Sequence, residues 1–419
     1  MSDAKMPGIL ELTPLNPAFN ADPHALLDPL RSQCPVHRDA MAGVFILSKH
    51  ADVRGTLSDT SMLRAPENAE EAAVMTRRGI GATPPPGLDI REDQPRHSIL
   101  TMDEPEHMRV REPLAKALYK RVAKSKPLVQ RVVDEWLDRI PASAGTSAKP
   151  FDVMSAFAIR VPIDVIARLL GVDETRLMEF RDWSEGAILG FHPFPTPEQV
   201  ERIVASNNAL NRYMRGLMAE RAANPKDDLT SDMMALKAQG ANLTEGEICT
   251  NLIALLIGGN LTTTDLIGNA IWLLLTHPEQ RARLAAEPGL INSCVEEVLR
   301  YESPVDITGR IAPRAMEVSG CPIHDRSSLI MELRAANRDP AAFPEPHRFD
   351  ISRKDAPHVA FGGGTHLCIG APLARLEAIV AIPAFFARWP GVRLADPAMK
   401  PEWRDLPFFR GLKRLDVVA

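Results

Sequence analysis

The chain has 419 residues, with 49 Lys and Arg against 54 Asp and Glu for a net charge of −5, a balance that excludes a nucleic-acid binder held mainly by phosphate contacts. Hydrophobic residues make up 45% and charged residues 25%, which excludes disorder over most of the length. Five cysteines (Cys34, Cys249, Cys294, Cys321 and Cys368) are too few, and odd in number, for a disulfide scaffold, and they leave room for one cysteine with a chemical task.

Length alone sets a prior of two to three domains at about 150 residues each. The first eight residues contain no apolar segment of a secretion signal, so a cytoplasmic protein is expected. A short helix is predicted near 22–31. A hairpin follows, with Val36-His37-Arg38 and Val44-Phe45-Ile46-Leu47 as its strands. Residues 64–100, with Pro84-Pro85-Pro86-Gly87, read as a long loop of the kind that forms lids. Apolar residues at i, i+3, i+4 spacing then predict helices near 104–121, 127–139, 153–170, 173–189, 197–222 and 229–238.

Thr244 and Glu247 form a capping box that opens a long apolar helix reaching Thr276. Its middle, Gly258-Gly259-Asn260-Leu261-Thr262-Thr263-Thr264-Asp265, is too polar for mid-bilayer depth, so a buried core helix and no membrane span are expected. A helix near 289–301 stops before Pro304, short strands occupy 305–335, and 336–365 reads as irregular coil. A last helix opens at Ala371-Pro372, with proline in the first turn, and a hairpin surrounds Phe408-Phe409-Arg410-Gly411. Nothing breaks the helical run, so 1–419 is expected to form one domain, mainly α with small β sheets. Its β-richer parts fall at about 1–65 and 305–335, and its helical bulk at about 104–302 and 371–388.

The most informative stretch is Phe361-Gly362-Gly363-Gly364-Thr365-His366-Leu367-Cys368-Ile369-Gly370. Three glycines let backbone come close to something flat or bulky. Cys368 precedes a helix start, where free N–H groups and the helix dipole favour a thiolate, as nucleophile or as metal ligand. No second cysteine sits at zinc-ligand spacing, and the phosphate-loop pattern is absent.

This loop resembles the haem-binding signature of the cytochrome P-450 family, Phe-Gly-x-Gly-x-His-x-Cys-x-Gly. Phe361, Gly362, Gly364, His366, Cys368 and Gly370 meet its six fixed positions. The resemblance implies haem b with Cys368 as axial iron ligand, donating electron density that favours O–O cleavage. It also implies the family's fold, with haem buried between the long distal helix and the cysteine-bearing proximal helix. Asp103–Arg111 resembles the start of the family's third main helix. There His107 and Arg111, one turn apart on one face, join Arg310 and His366 around the haem propionates. Glu297-Val298-Leu299-Arg300 resembles the family's Glu-x-x-Arg, which with Arg348 implies a buried structural charge network.

The long helix resembles the family's Ala/Gly-Gly-x-Asp/Glu-Thr core through Gly258, Gly259 and Thr262. The resemblance implies a local opening at the glycines and a Thr262 hydroxyl for bound oxygen. The acid position is instead Leu261, so proton supply is expected by a modified route, through Asp265 one turn on or with Asn260 as a polar neighbour. By resemblance the pocket is lined by Leu255, Val305, Ile307, Phe191 and Leu406, which suits an apolar or mixed small organic substrate.

The implied function is an O2-dependent monooxygenase that hydroxylates or dealkylates such a molecule, acting as a monomer. Its electrons are expected from a separate ferredoxin or flavodoxin and its reductase. Lys116, Lys120, Arg121, Lys124 and Lys126 form a basic run that suits an acidic donor. The alternatives are coupling, dehydration or peroxide chemistry, to which Leu261 points, and a haem sensor without turnover.

Overall fold

The computed structural model describes residues 6–78, 85–141, 144–145, 149–192, 194–354 and 356–419. Its organising element is the helix Glu245–Thr276, 32 residues and about 48 Å long at 1.5 Å per residue. The capping box is complete. The Thr244 hydroxyl accepts the Glu247 N–H at 3.1 Å, and the Glu247 carboxylate accepts the Thr244 N–H at 2.9 Å. The helix is apolar nearly all round because neighbours enclose it. Arg160–Leu170, Leu177–Ile188, Pro197–Ala223, Ile291–Tyr301 and Ala371–Arg388 all pack on it. Among the described residues, no helix is long and apolar enough to cross a membrane.

The periodic segments fold close to their predicted bounds, as Glu106–Val122, Lys126–Arg139, Arg160–Leu170, Leu177–Ile188, Pro197–Ala223 and Leu229–Ala238. The helix Pro278–Ala286 was not among the expected elements. The hairpin near the N-terminus forms with Val36 opposite Leu47. Its second strand, Val44–Leu47, pairs in parallel with Ser328–Glu332, which pairs antiparallel with Ile307–Ile311. The predicted loop 64–100 holds a short 3-10 turn, Pro66–Asn68, and a helix, Val74–Arg78. Pro84, from its proline run, lies outside the described residues.

One apolar cluster fills the helical bulk. A second lies between the four-stranded sheet, the N-terminal helix His24–Gln33 and the C-terminal hairpin, and it includes Leu261 of the long helix. Where the hairpin returns, Phe409 bridges Val305 and Trp403 bridges Leu412. The long helix thus runs between two cores and packs against the helix Ala371–Arg388 that follows the cysteine loop.

Candidate active site

Turns hold the cysteine loop at both ends. The Cys368 N–H donates to the Phe361 carbonyl at 3.0 Å, and the Leu367 N–H to that of Gly364 at 3.1 Å. Gly362 and Gly364 take φ of +71° and +64°, the left-handed region that favours glycine. At Gly364 a Cβ would also sit 2.2 Å from the Leu57 carbonyl oxygen, so only glycine fits. Phe361 packs under the Arg375 guanidinium, 4.5 Å from the ring centre. A Cβ on Gly370 would lie 3.8 Å from the Cys368 sulfur.

Although Cys368 is exposed to solvent, desolvation of its sulfur pushes the thiol up, while the Gly370 N–H, Arg111, the Ala371 N–H and Arg375 pull the other way. The N–H groups of the helix start thus act in favour of the thiolate. Metal coordination deprotonates a thiol outright. The other cysteines stay apart from this chemistry. Cys249 and Cys294 are fully buried, with thiols pushed up to about 11 and about 12 by desolvation.

Beside the loop, arginines and imidazoles converge. His107 and His366 stack with ring centres 4.0 Å apart. His107 Nδ1 meets the Glu104 carboxylate at 3.1 Å, while His107 Nε2 and His366 Nδ1 are buried without a partner. Arg310 donates to the Gly363 carbonyl at 3.2 Å, and Arg111 donates to that of Leu367. Burial, then Arg64, His107, Arg310 and Arg111, holds the His366 imidazole down at about 2. Desolvation lowers Arg310 to about 9. The structure therefore brings together His107, Arg111, Arg310 and His366, the four residues picked out in the sequence.

On the long helix, Gly258 is exposed while its neighbours are buried or half-buried, and no atom lies within 4 Å of a Cβ placed there. Gly259 instead serves packing, since a Cβ there would lie 3.0 Å from Ile166. The helix runs unbroken through both glycines, so the expected local opening is absent. The Thr262 hydroxyl donates to the Gly258 carbonyl at 2.9 Å, the back-bond common for threonine in helices.

Asp265 lies on the same helical stripe as Gly258 and Thr262, at i+7 and i+3. It is fully buried, receives the Arg404 guanidinium, and keeps Oδ1 without a partner. Desolvation raises its carboxyl to about 6 against the pull of Arg404 and Arg181. Asn260 faces another way. It donates to Ser184 Oγ at 3.0 Å and accepts from Arg181 at 3.2 Å, so it belongs to the packing of Leu177–Ile188. Leu261, at the acid position, is buried with Ile188, Leu406, Phe408 and Phe409. Val305, Ile307 and Phe191 join that cluster, and Phe191 meets Phe409 edge-on at 5.7 Å. Leu255, expected with them, packs in the helical core instead.

The anchoring network differs in one member. Arg300 and Glu297 form a two-point ion pair, both contacts 2.7 Å and both side chains fully buried. The second guanidinium on Glu297 is that of Arg353, at 3.2 Å, and not that of Arg348. The Arg348 side chain is 57% exposed and pairs with Glu345; Arg348 enters the network only through its carbonyl, which accepts from Arg300 at 3.1 Å. Arg64, Arg353 and Arg404 were the residues that sequence patterns missed.

These residues fit iron protoporphyrin IX. The Gly370 and Ala371 N–H groups and Arg111 bear on the sulfur, and beside it orphaned imidazole nitrogens and arginines that, among the described residues, lack carboxylate partners suit two propionates. The Cytochrome P450 family model matches residues 55–390. Cytochrome P450 107B1 of Saccharopolyspora erythraea is 33% identical over all of this chain and 99% of its own. The cytochrome P450 monooxygenase PikC of Streptomyces venezuelae is 34% identical over 98% of this chain and 94% of its own. The crystal structure of myxobacterial CYP267B1 with myristic acid matches at a TM-score of 0.85 and 31% identity, over 96% of this chain and 98% of its own. A thiolate loop, a cationic cradle and a distal helix in one arrangement, matched along the whole length, make this chain a member of the cytochrome P450 family, a haem-dependent monooxygenase.

Proposed function

We propose that the chain oxidises an apolar or mixed small organic molecule, as one haem domain over 1–419, in the cytoplasm, as a monomer. Haem bound at Cys368 supplies reductive activation of O2. His107, Arg111, Arg310 and His366 would hold the propionates. Val305, Ile307, Phe191 and Leu406, joined by Phe408 and Phe409, would form the apolar wall that seats the substrate and excludes water. Electrons would come from a separate acidic ferredoxin or flavodoxin. The basic run supports this only in part. Arg121 is neutralised by Asp227 and Asp232 and Lys116 by Glu112, whereas Lys120, Lys124 and Lys126 are exposed with no ion pair among the described residues.

The observation that carries the reading is the stripe Gly258, Thr262, Asp265. A carboxyl raised to about 6 can hold and release a proton near neutral pH, one turn beyond the Thr262 hydroxyl, where Leu261 cannot. Asp265 would hold the proton at its free Oδ1, and Arg404 would orient it. The test is coupling of reductant consumption to product. Asp265→Asn should divert at least half of the reducing equivalents to peroxide or water while keeping the thiolate-type CO spectrum. Wild-type coupling would remove Asp265 from the proton route. A second reading, coupling or dehydration chemistry or use of peroxide, draws on Leu261 alone. It would gain if peroxide supported turnover without any electron donor.

A further inference from the structure

The register of one short bridge carries a consequence for Arg64. Leu63 and Ile311 form an antiparallel bridge, with the Leu63 N–H on the Ile311 carbonyl at 3.0 Å and the Ile311 N–H on that of Leu63 at 2.8 Å. One step along, Arg64 stands opposite Arg310. Residues directly opposite share a face, as do residues two apart on a strand, so Arg64, Arg310 and Thr308 point to one side. The side chains agree, since an Arg64 Nη1–H donates to the Thr308 hydroxyl at 3.0 Å.

Two guanidinium groups facing each other in a buried setting repel. Among the described residues no carboxylate lies within ion-pair distance of either one. The nearest acid, Asp103, is already engaged, accepting the N–H groups of Arg64 at 2.6 Å and Ala65 at 3.2 Å and the Asn68 amide at 2.7 Å. Those bonds hold the chain at Arg64 in place and leave its guanidinium free to meet an anion. Arg111 adds a third cation beside the two guanidinium groups, and the His107 and His366 imidazoles add ring nitrogens.

We infer that Arg64 is a fifth member of the propionate cradle, paired across the bridge with Arg310, so that the two guanidinium groups share the haem propionates. This rests on the cradle proposed above. The family resemblance points to four positions, and the loop that carries Arg64 reads in the sequence only as one of the kind that forms lids. Arg64 also ties that loop to the cofactor, because a propionate held by both arginines fixes residue 64 against the strand Ile307–Ile311.

The test uses the haem-loaded enzyme with Arg64→Leu, Arg64→Lys, Thr308→Val and, as reference, Arg310→Leu. The readouts are the rate of haem transfer to excess apomyoglobin, the haem midpoint potential and the propionate bending band in the resonance Raman spectrum. Arg64→Leu should release haem about 10- to 100-fold faster, the range of a charge-assisted hydrogen bond. It should also lower the potential, because a positive charge near the iron favours the reduced state, and shift the propionate band. Arg64→Lys should keep most of the potential, and Thr308→Val should act in the same direction as Arg64→Leu but less. If Arg310→Leu moves all three readouts while Arg64→Leu and Arg64→Lys move none, the Arg64 assignment is overturned and the cradle stands. If Arg310→Leu moves none either, the cradle itself falls.

Discussion

Arginine substitutions in the Glu297 network give the sharpest energetic test. Arg300 donates twice to Glu297 and once each to the carbonyls of Asn337, Pro346 and Arg348, at 2.7 to 3.1 Å. Removing it by Arg300→Met strips the donors from three carbonyls and leaves a fully buried carboxylate with only the Asp350 N–H, at 2.9 Å, and Arg353. Breaking a buried pair from one side costs about 3–5 kcal/mol. That is a large share of a typical total of about 5–15 kcal/mol. Arg353→Ala removes a contact at 3.2 Å from a residue that is mostly buried and should cost less, about 1–2 kcal/mol. Arg348→Ala removes an exposed pair with Glu345 and should cost about 0–1 kcal/mol, because its carbonyl remains. Urea unfolding midpoints of the three haem-loaded variants, followed together with loss of the Soret band, give the ranking. Equal losses for Arg348→Ala and Arg353→Ala would refute the assignment of the network to Arg353.

Gly364→Ala should cost more than Gly362→Ala. Both have positive φ, worth about 1–2 kcal/mol to an alanine, but only Gly364 faces a backbone oxygen at 2.2 Å while Gly362 has its nearest neighbour at 3.8 Å, so equal haem content and midpoints would contradict the packing. Glu377, on the cysteine-bearing helix, is fully buried with neither oxygen partnered, and burial raises its carboxyl well above 4.5. A raised carboxyl is protonated in the folded state, so stability is unaffected below the unfolded value of about 4.5 and falls as pH rises above it, by up to about 1.4 kcal/mol per pH unit. Glu377→Gln should therefore gain on the wild type as pH rises above about 5, and parallel stability curves would show the group to be solvated. Lys120→Glu with Lys124→Glu should slow reduction by an acidic ferredoxin at low salt, with the difference fading as screening sets in. An unchanged salt profile would move the docking face elsewhere.

What was legible in the sequence is what local backbone physics dictates. The cysteine loop could be read because its glycines answer to local demands: Gly362 and Gly364 sit at φ values that other residues rarely adopt. The long helix could be read because its capping box closes within four residues. His107 and Arg111 lie on one helical face whatever packs against them. The misses share one cause, a partner chosen by tertiary contact. Arg348 and Arg353 lie on the same irregular segment. The turn in which the Arg348 N–H donates to the Glu345 carbonyl sends the first side chain to solvent and leaves Glu297 to the second.

The distal helix shows the same limit from the other side. Spacing put Asp265 near Thr262, but only the fold brings Arg404, 139 residues later, onto its carboxylate. That partner decides the chemistry. Burial alone would hold the carboxyl protonated through neutral pH, and a fully solvated carboxyl would stay ionised. The guanidinium groups of Arg404 and, less, Arg181 against complete desolvation leave it near 6, where it can both give and take a proton. Gly411 completes the setting. A Cβ there would lie 1.8 Å from Asp265 Oδ1, so the C-terminal hairpin seals the carboxylate from bulk water and leaves that oxygen without a bond. On the proposed route, Leu261 at the usual acid position is compatible with turnover, because Asp265 one turn along the helix would carry the proton and the hairpin supplies its counter-charge.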